Sequence, residues 1–316
     1  MTTRGSTPLI RIALLGVGRI GVGHAAALAA NPAVELVVCD MDAERAARVA
    51  HDLEPACGAP VVAATVEEAL ESPDRVDGVV IATPTTTHEE LIIRAAGAGL
   101  PFFCEKPVAA DLAGTERCIE AVHEAGVVSQ IGFQRRFDPG YAEARRRVRS
   151  GELGEVHRLH VLTCDQTPPP EQFVASSGGI WRDCLIHDID ILRWVTGREV
   201  EEVFAFGSVR GEDYFAAHGD VDEAVAVLRL DDGALATAQT SRNNGQGYDV
   251  RMEVAGTRGN AAVGLEPKAP LVSVEPGASF PDEAPWDDFI ARFKACYEAE
   301  LAAGPRLSMV DSDRGI

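Results

Sequence analysis

Three groups of residues have types and spacings that could do chemistry. The first is Gly16-Val17-Gly18-Arg19-Ile20-Gly21, a G-x-G-x-x-G. Glycines at these places allow a tight turn, a close backbone approach to a pyrophosphate and tight packing of a helix whose N-terminus favours an anion. The second is Cys104-Glu105-Lys106-Pro107. An ammonium there could hold a hydroxyl and pass on its proton, but the pair reads equally well as a surface Glu105–Lys106 ion pair before a helix-starting proline. The third lies in residues 178–190, with Gly178, Gly179, Asp183, His187, Asp188 and Asp190. On a helix, Asp183 and His187 are i and i+4 and share a face. The carboxylate would raise the imidazole pKa and fix the ring, giving a base poised near neutral pH. The competing reading is a core histidine satisfied by the aspartate. A zinc site from His187, Asp188 and Asp190 lacks a second His or Cys at suitable spacing, so no metal is expected.

The elements that must position these groups alternate through the first third of the chain. Strand Ile10–Leu15 leads through the glycines into an alanine-rich helix ending at Ala30, before Asn31-Pro32. Val34–Cys39 and Ala43–Leu53 read as strand and helix, Val61–Ala63 as a weak strand and Val66–Leu70 as a helix. Gly78–Ala82 is a strong strand, followed by helix His88–Ala98, strand Pro101–Cys104, helix Ala113–Glu124 and strand Val127–Gly132. Such alternation implies a parallel, doubly wound sheet. It also gives the glycine motif the preceding strand and following helix that make it specific for a dinucleotide.

Asp40 stands at the end of the second strand, 19 positions after Gly21, where a ribose-binding carboxylate belongs. It would accept from both ribose hydroxyls and repel a 2′-phosphate, so NAD is expected rather than NADP. Arg45 is a counter-signal that reads as facing solvent on its helix. Thr83-Pro84-Thr85-Thr86-Thr87-His88 follows the fourth strand, and the C-terminal ends of such strands bind ligands. Besides the glycines and Asp40, the expected cofactor contacts are Arg19, Ile20, Thr83, Pro84, His88, Glu105 and Lys106.

The pattern changes after about residue 134. Val156–Leu162, Ala224–Leu230, Ala234–Ser241 and Tyr248–Val254 read as partly alternating strands, with a hairpin signal at Asp231-Asp232-Gly233. One marked helix, Trp181–Val195, interrupts them, and Pro168-Pro169-Pro170 is a stiff loop. The expected fold is therefore α/β: a Rossmann-type NAD-binding domain over 1–134, then an α+β domain over 135–316 with a mostly antiparallel open sheet.

The bulk numbers fit a globular protein: 316 residues, 46 % hydrophobic and 25 % charged. A net charge of -20 repels phosphate backbones, so nucleic acid is not an expected partner. The basic run Arg145, Arg146, Arg147 and Arg149 reads as a solvated face of a helix between Tyr141 and Ser150. The seven cysteines form no C-x-x-C and are odd in number, which fits reduced thiols in the cytoplasm. Arg4 and Arg11 precede an apolar stretch, but Arg19 and five glycines from Gly5 to Gly23 break it, so no signal peptide is expected. No apolar run is long enough to span a bilayer.

Taken in order, these motifs resemble the Gfo/Idh/MocA oxidoreductases, and within them the inositol 2-dehydrogenases. The resemblance runs from the glycine loop through Thr83-Pro84 and Cys104–Pro107 to residues 130–141, where Gly132-Phe133-Gln134-Arg135-Arg136-Phe137-Asp138-Pro139 is, with Gly247-Tyr248-Asp249, the stretch most like inositol dehydrogenases. It continues through Ser177-Gly178-Gly179 and His187–Asp190 to Gly247-Tyr248-Asp249. It implies that Lys106 contacts substrate and nicotinamide, with a cis bond to Pro107, and that His187 is the proton acceptor with Asp183 paired to it and to the substrate. Arg135 would line the substrate pocket, Tyr248 would approach from the sheet, and Asp165 is a further candidate for binding hydroxyls. The implied substrate is a cyclic polyol, or alternatively an aldose or anhydrosugar, in a homodimer or homotetramer. A sugar sensor without chemistry would lack the lysine or histidine, and a methyltransferase would leave both unexplained. Two departures stand out. Inositol dehydrogenases often carry a polar His or Arg around Thr163-Cys164, and relatives usually continue through another helix past the position of Ile316, so either the C-terminus is shortened or the sequence is incomplete.

Overall fold

Residue spacing divides the chain between two six-stranded sheets. The computed structural model describes residues 9–54, 61–71, 76–245 and 247–264, all within one compact unit. The first half contains β1 (Ile10–Leu15), α1 (Gly21–Ala29), β2 (Val34–Cys39), α2 (Ala43–Leu53), β3 (Val62–Ala64), α3 (Val66–Glu71), β4 (Gly78–Ile81), α4 (His88–Gly97), β5 (Phe102–Cys104), α5 (Leu112–Ala125) and β6 (Ser129–Ile131). The sheet order is β3-β2-β1-β4-β5-β6, and every pair is parallel. The central strands β1, β2, β4 and β5 are short, largely apolar runs because both their faces are covered. Leu14, Leu36 and Val38 pack with Ala25, Ala46 and Ala50 on one face. Leu15, Val37 and Ile81 pack with Leu91, Ile92 and Ala95 on the other. The order reverses between β1 and β4, and a crevice opens at the C-terminal ends of strands at such a switch. The loops after β1, β4 and β5 leave that edge side by side.

The second half begins with α6 (Pro139–Arg149), whose proline sits in the first turn and whose Asp138 accepts from the Gly140 and Tyr141 amides. Then come β7 (Val156–Cys164), α7 (Glu171–Ser177), α8 (Ile180–Asp183), α9 (Ile186–Thr196), β8 (Val200–Ser208), α10 (Tyr214–Ala217), β9 (Glu223–Leu230), β10 (Leu235–Ser241), β11 (Asp249–Gly256) and β12 (Asn260–Val263). The order is β12-β11-β7-β10-β9-β8. All pairs are antiparallel except β7 with β10. Alternate residues of β9 and β10 are buried, and Ala226, Leu228, Ala236 and Ala238 form a core with Ile191, Leu192 and Val195 of α9 and Ala144 of α6. The opposite face exposes Phe204, Phe206, Val225, Val227 and Leu235.

Two expectations need correction. The single helix over Trp181–Val195 is two, α8 and α9, with Cys184 and Leu185 between them. Strands β8 and β12 were not expected; β8 lies at the sheet edge and is exposed along most of its length, so it lacks the alternation that reveals a strand. The arginine run does lie on a largely solvated helix, where Arg146 and Arg147 pair with Glu143 and Glu152 and Arg145 stacks over Trp194 at 4.2 Å. Five cysteines, Cys39, Cys104, Cys118, Cys164 and Cys184, are free and buried. Cys57, Cys296 and the C-terminal segment lie outside the described residues.

Candidate active site

The glycine loop is shaped by contacts that side chains would break. Gly16 has φ of 90°, and a Cβ there would lie 2.8 Å from the main-chain oxygen of Ala82, just after β4. A Cβ on Gly21 would lie 2.0 Å from the Gly16 oxygen, whereas one on Gly18 would meet nothing within 4 Å. The loop is thus closed against protein and open at Gly18, and no side chain caps α1. This is a cradle that a pyrophosphate fits. Arg19 and Ile20 lie within the loop. On the neighbouring strand, Asp40 Oδ2 accepts from the Val17 amide at 2.9 Å, and Oδ1 accepts from the Asp42 amide at 2.9 Å. Arg45 does not face solvent as expected: its Nη2 donates to Asp40 Oδ1 at 2.6 Å, because α2 turns it back toward the strand end. Burial opposes the charge of Asp40, but Arg45 and the two amides outweigh it and hold the carboxyl below its usual range.

His88 braces the next two loops. Its Nδ1 lies 2.7 Å from the Pro107 oxygen and its Nε2 2.9 Å from the Thr83 oxygen. The residue is 1 % exposed, so its ring is committed to main chain and can serve a cofactor only through the Thr83-Pro84 and Lys106-Pro107 segments it holds. The Lys106–Pro107 bond is cis, as the resemblance implied. Glu105 does not pair with Lys106; it lies 2.7 Å from His24 Nε2 on α1.

Lys106 instead reaches the second half of the chain. Its Nζ donates to both the main-chain oxygen and Oδ1 of Asp183, each at 2.8 Å. An ammonium has three donors, so one is left over. Arg242 meets Asp183 from the other oxygen, with Nη2 2.9 Å from Oδ2. Its Nη1 donates to Asp165 Oδ2 at 3.0 Å. Burial works against a charge on Asp183, yet Lys106 and Arg242 more than offset it and hold the carboxyl below its usual range.

Asp183 and His187 do not form the expected pair. Asp183 ends α8; the Leu185 amide then reaches back five residues to the Ile180 oxygen and the His187 amide only three, to Cys184. This irregularity removes the shared helix face, and the carboxylate turns to Lys106 and Arg242. The imidazole pKa therefore falls rather than rises. Burial, then the Lys106 and Arg135 cations, push it down to about 3 against the opposing pull of Asp183. His187 Nδ1 is buried without a hydrogen-bond partner, which leaves Nε2 as the open nitrogen.

Behind the histidine, Arg135 is tightly held. Its Nη1 donates to Asp188 Oδ1 at 2.7 Å and its Nη2 to Thr163 Oγ1 at 2.6 Å. The Thr163 hydroxyl in turn donates to Asp188 Oδ1 at 2.9 Å. Arg136 pairs with Asp190. These acids are therefore committed to arginines, and among the described residues no cluster of three or more His, Cys, Asp or Glu could hold a metal. Tyr248, immediately before β11, is 58 % exposed.

Sequence reasoning missed Arg242, Thr163 as a buried link, and His24. Arg242 directly follows a strand correctly placed at Ala234–Ser241, but only the pairing of that strand reveals where the side chain goes.

Two family models match successive stretches of the chain. Residues 10–133 match the family described as "Oxidoreductase family, NAD-binding Rossmann fold", and residues 141–262 match the "GFO/IDH/MocA C-terminal domain". The chain is similar to a scyllo-inositol 2-dehydrogenase (NAD(+)) of Bacillus subtilis, 40 % identical over 92 % of this chain and 84 % of that protein. It is 38 % identical to the myo-inositol dehydrogenase Hyg17 of Streptomyces leeuwenhoekii, over 93 % of this chain and 89 % of that one. Among solved structures, scyllo-inositol dehydrogenase from Lactobacillus casei with bound NAD(H) and scyllo-inositol superposes with a TM-score of 0.73 at 29 % identity, over 84 % of this chain and 78 % of that chain.

Proposed function

The chain belongs to the Gfo/Idh/MocA oxidoreductase family, and on that premise we propose that it is an NAD-dependent dehydrogenase that oxidises a secondary alcohol of an inositol-like cyclic polyol to a ketone. The observation that carries this reading is the meeting of Lys106 and Asp183 beside the crevice of the first sheet. The names of the relatives agree with it.

The cofactor's pyrophosphate would lie on the loop from Gly16 to Gly21 and its ribose hydroxyls at Asp40, with the nicotinamide end toward Thr83-Pro84 and Glu105-Lys106. When bound, the nicotinamide supplies the hydride acceptor. Lys106 gives its remaining N–H to the substrate hydroxyl oxygen, and its bonds to Asp183 keep the ammonium in place. His187 stays neutral, and Nε2 takes the hydroxyl proton. Asp165, Asp183 and Tyr248 supply partners for other ring hydroxyls, while Arg135 lines the site from its anchorage on Asp188 and Thr163. A polyol needs several such partners, because each buried hydroxyl left unpaired is costly.

The division into 1–134 for cofactor and 135–316 for substrate and assembly remains part of this proposal. A homodimer or homotetramer would cover the face bearing Phe204 and Phe206, where large apolar side chains stand exposed side by side. The buried free thiols support a reducing, cytoplasmic setting; among the described residues no helix is long and apolar enough to cross a membrane. A cyclitol deuterated at its reacting carbon tests the reaction. Deuterium should appear in the reduced cofactor as a cyclitol ketone accumulates; ketone formation without that transfer would refute hydride transfer.

A further inference from the structure

Asp165 and Arg242 leave the second sheet together because β7 and β10 run parallel, the one parallel pair among the described strands of that sheet. Parallel neighbours end at the same edge. Ser241 stands opposite Cys164, so the next residue on each strand, Arg242 and Asp165, emerges beside the other. Main-chain bonds fasten this exit: the Asp165 amide donates to the Ser241 oxygen at 2.9 Å, the Arg242 amide to the Asp222 oxygen at 2.8 Å, and the Asn244 amide to the Asp165 oxygen at 2.8 Å.

The Arg242 guanidinium then lies between two carboxylates. It is 3 % exposed, with Nη1 on Asp165 and Nη2 against Asp183, whose other oxygen holds Lys106. The charges alternate as Lys106, Asp183, Arg242, Asp165 and sum to zero. The Arg242 Nε and Nη2 are both buried without a hydrogen bond, so Nη2 meets Asp183 as an ion pair and Nε has no partner. A native interior rarely leaves such a donor idle, and its presence asks for a functional explanation.

We propose that Arg242 is a positioning residue: it fixes Asp183 and Asp165 side by side as ionised acceptors for hydroxyls of a neutral ring. The proposal rests on the dehydrogenase reading above. The groups facing Asp183 are Lys106, Arg242 and His187, and those facing Arg242 are Asp165, Asp183 and Cys184. Removing Arg242 leaves Lys106 alone to hold Asp183 charged, so the Asp183 carboxyl takes up its proton at higher pH.

The test compares wild type with Arg242→Met and Arg242→Lys. NADH binding, read by fluorescence, should be unchanged in both, because Arg242 lies in the second half of the chain. Aspartate-selective 13C carboxyl spectra, with Asp183→Asn assigning the signal, should place the Asp183 titration at higher pH in Arg242→Met and back toward wild type in Arg242→Lys. With the best cyclitol, kcat/KM should fall on the order of a hundredfold in Arg242→Met, and its acid limb should move to higher pH. Arg242→Lys should recover the acid limb but not the KM, since lysine lacks the planar fork that spaces the two carboxylates in their present geometry. An unmoved Asp183 titration in Arg242→Met overturns the proposal. If that variant does not fold, a wild-type KM in Arg242→Lys overturns it instead. The titration needs no turnover, so a wild type inert toward every cyclitol refutes the dehydrogenase reading and leaves the carboxyl shift to decide the role of Arg242.

Discussion

Lys106 holds Asp183 twice, through the main-chain oxygen and through Oδ1, both at 2.8 Å. The loop after β5 is thereby tied to the end of α8, 77 residues later. One side chain links the half that would bind the cofactor to the half that would bind the substrate. Lys106→Met removes this link and the proposed hydroxyl donor while preserving most of the side-chain volume. Turnover should fall roughly 10²–10⁴-fold, with a much smaller change in NADH affinity. Steady-state kinetics and a fluorescence titration of NADH measure the two.

His187 makes stability depend on pH. Its pKa is about 3 in the fold against 6.5 for the free side chain, so between these values the unfolded chain binds a proton that the folded chain refuses. The associated stability is complete above 6.5 and is lost as pH falls toward 3. His187→Gln has no such group. Going from pH 7.5 to 4.5, wild type should lose more Tm than the variant, by roughly 2–4 °C for each kcal/mol involved. Parallel Tm values across that range would refute the depressed pKa. The same variant should also lose most turnover while still binding NAD.

The Arg45–Asp40 pair bears on cofactor choice. Asp40 repels a 2′-phosphate, and Arg45 is held 2.6 Å from it. Asp40→Ser should weaken NADH binding by roughly tenfold, about one charge-assisted hydrogen bond. It should also release Arg45 to face a phosphate and so improve NADPH binding. Adding Arg45→Ala should remove the NADPH gain. Fluorescence titrations with both cofactors read each step.

Much of the first sheet was legible because strands covered on both faces are short apolar runs and each helix is bounded by glycine, proline or aspartate. The expected Val34–Cys39 and Ala43–Leu53 coincide with β2 and α2. β8 was not legible, since exposure along most of an edge strand erases the alternation. The geometry around Asp183 was not legible either. Spacing of four residues places side chains together only on an unbroken helix, and the shift at Cys184–Leu185 is a packing event with no local sequence mark. Arg242 was hidden for a related reason: its neighbour Asp165 lies 77 residues away and is brought to it by strand order.

The exposed face of β8, β9 and β10 predicts assembly. Phe204 and Phe206 are 63 % and 65 % exposed and pack edge to face at 4.9 Å. Phe204→Asp combined with Phe206→Asp should convert an oligomer to monomer in light scattering while leaving NADH affinity near wild type. An unchanged mass would place the interface elsewhere.

The most direct measurement is the initial rate of nicotinamide reduction, with NAD and with NADP, across myo-inositol, scyllo-inositol, glucose, galactose, xylose and levoglucosan. The expected result is rapid reduction of NAD by one or both inositols, with slower rates on the sugars and with NADP. Rapid turnover of a sugar alone would keep the chemistry and overturn the substrate class. Tight NAD binding with no reduction by any of the six would contradict the enzyme assignment and favour a cofactor-binding sensor.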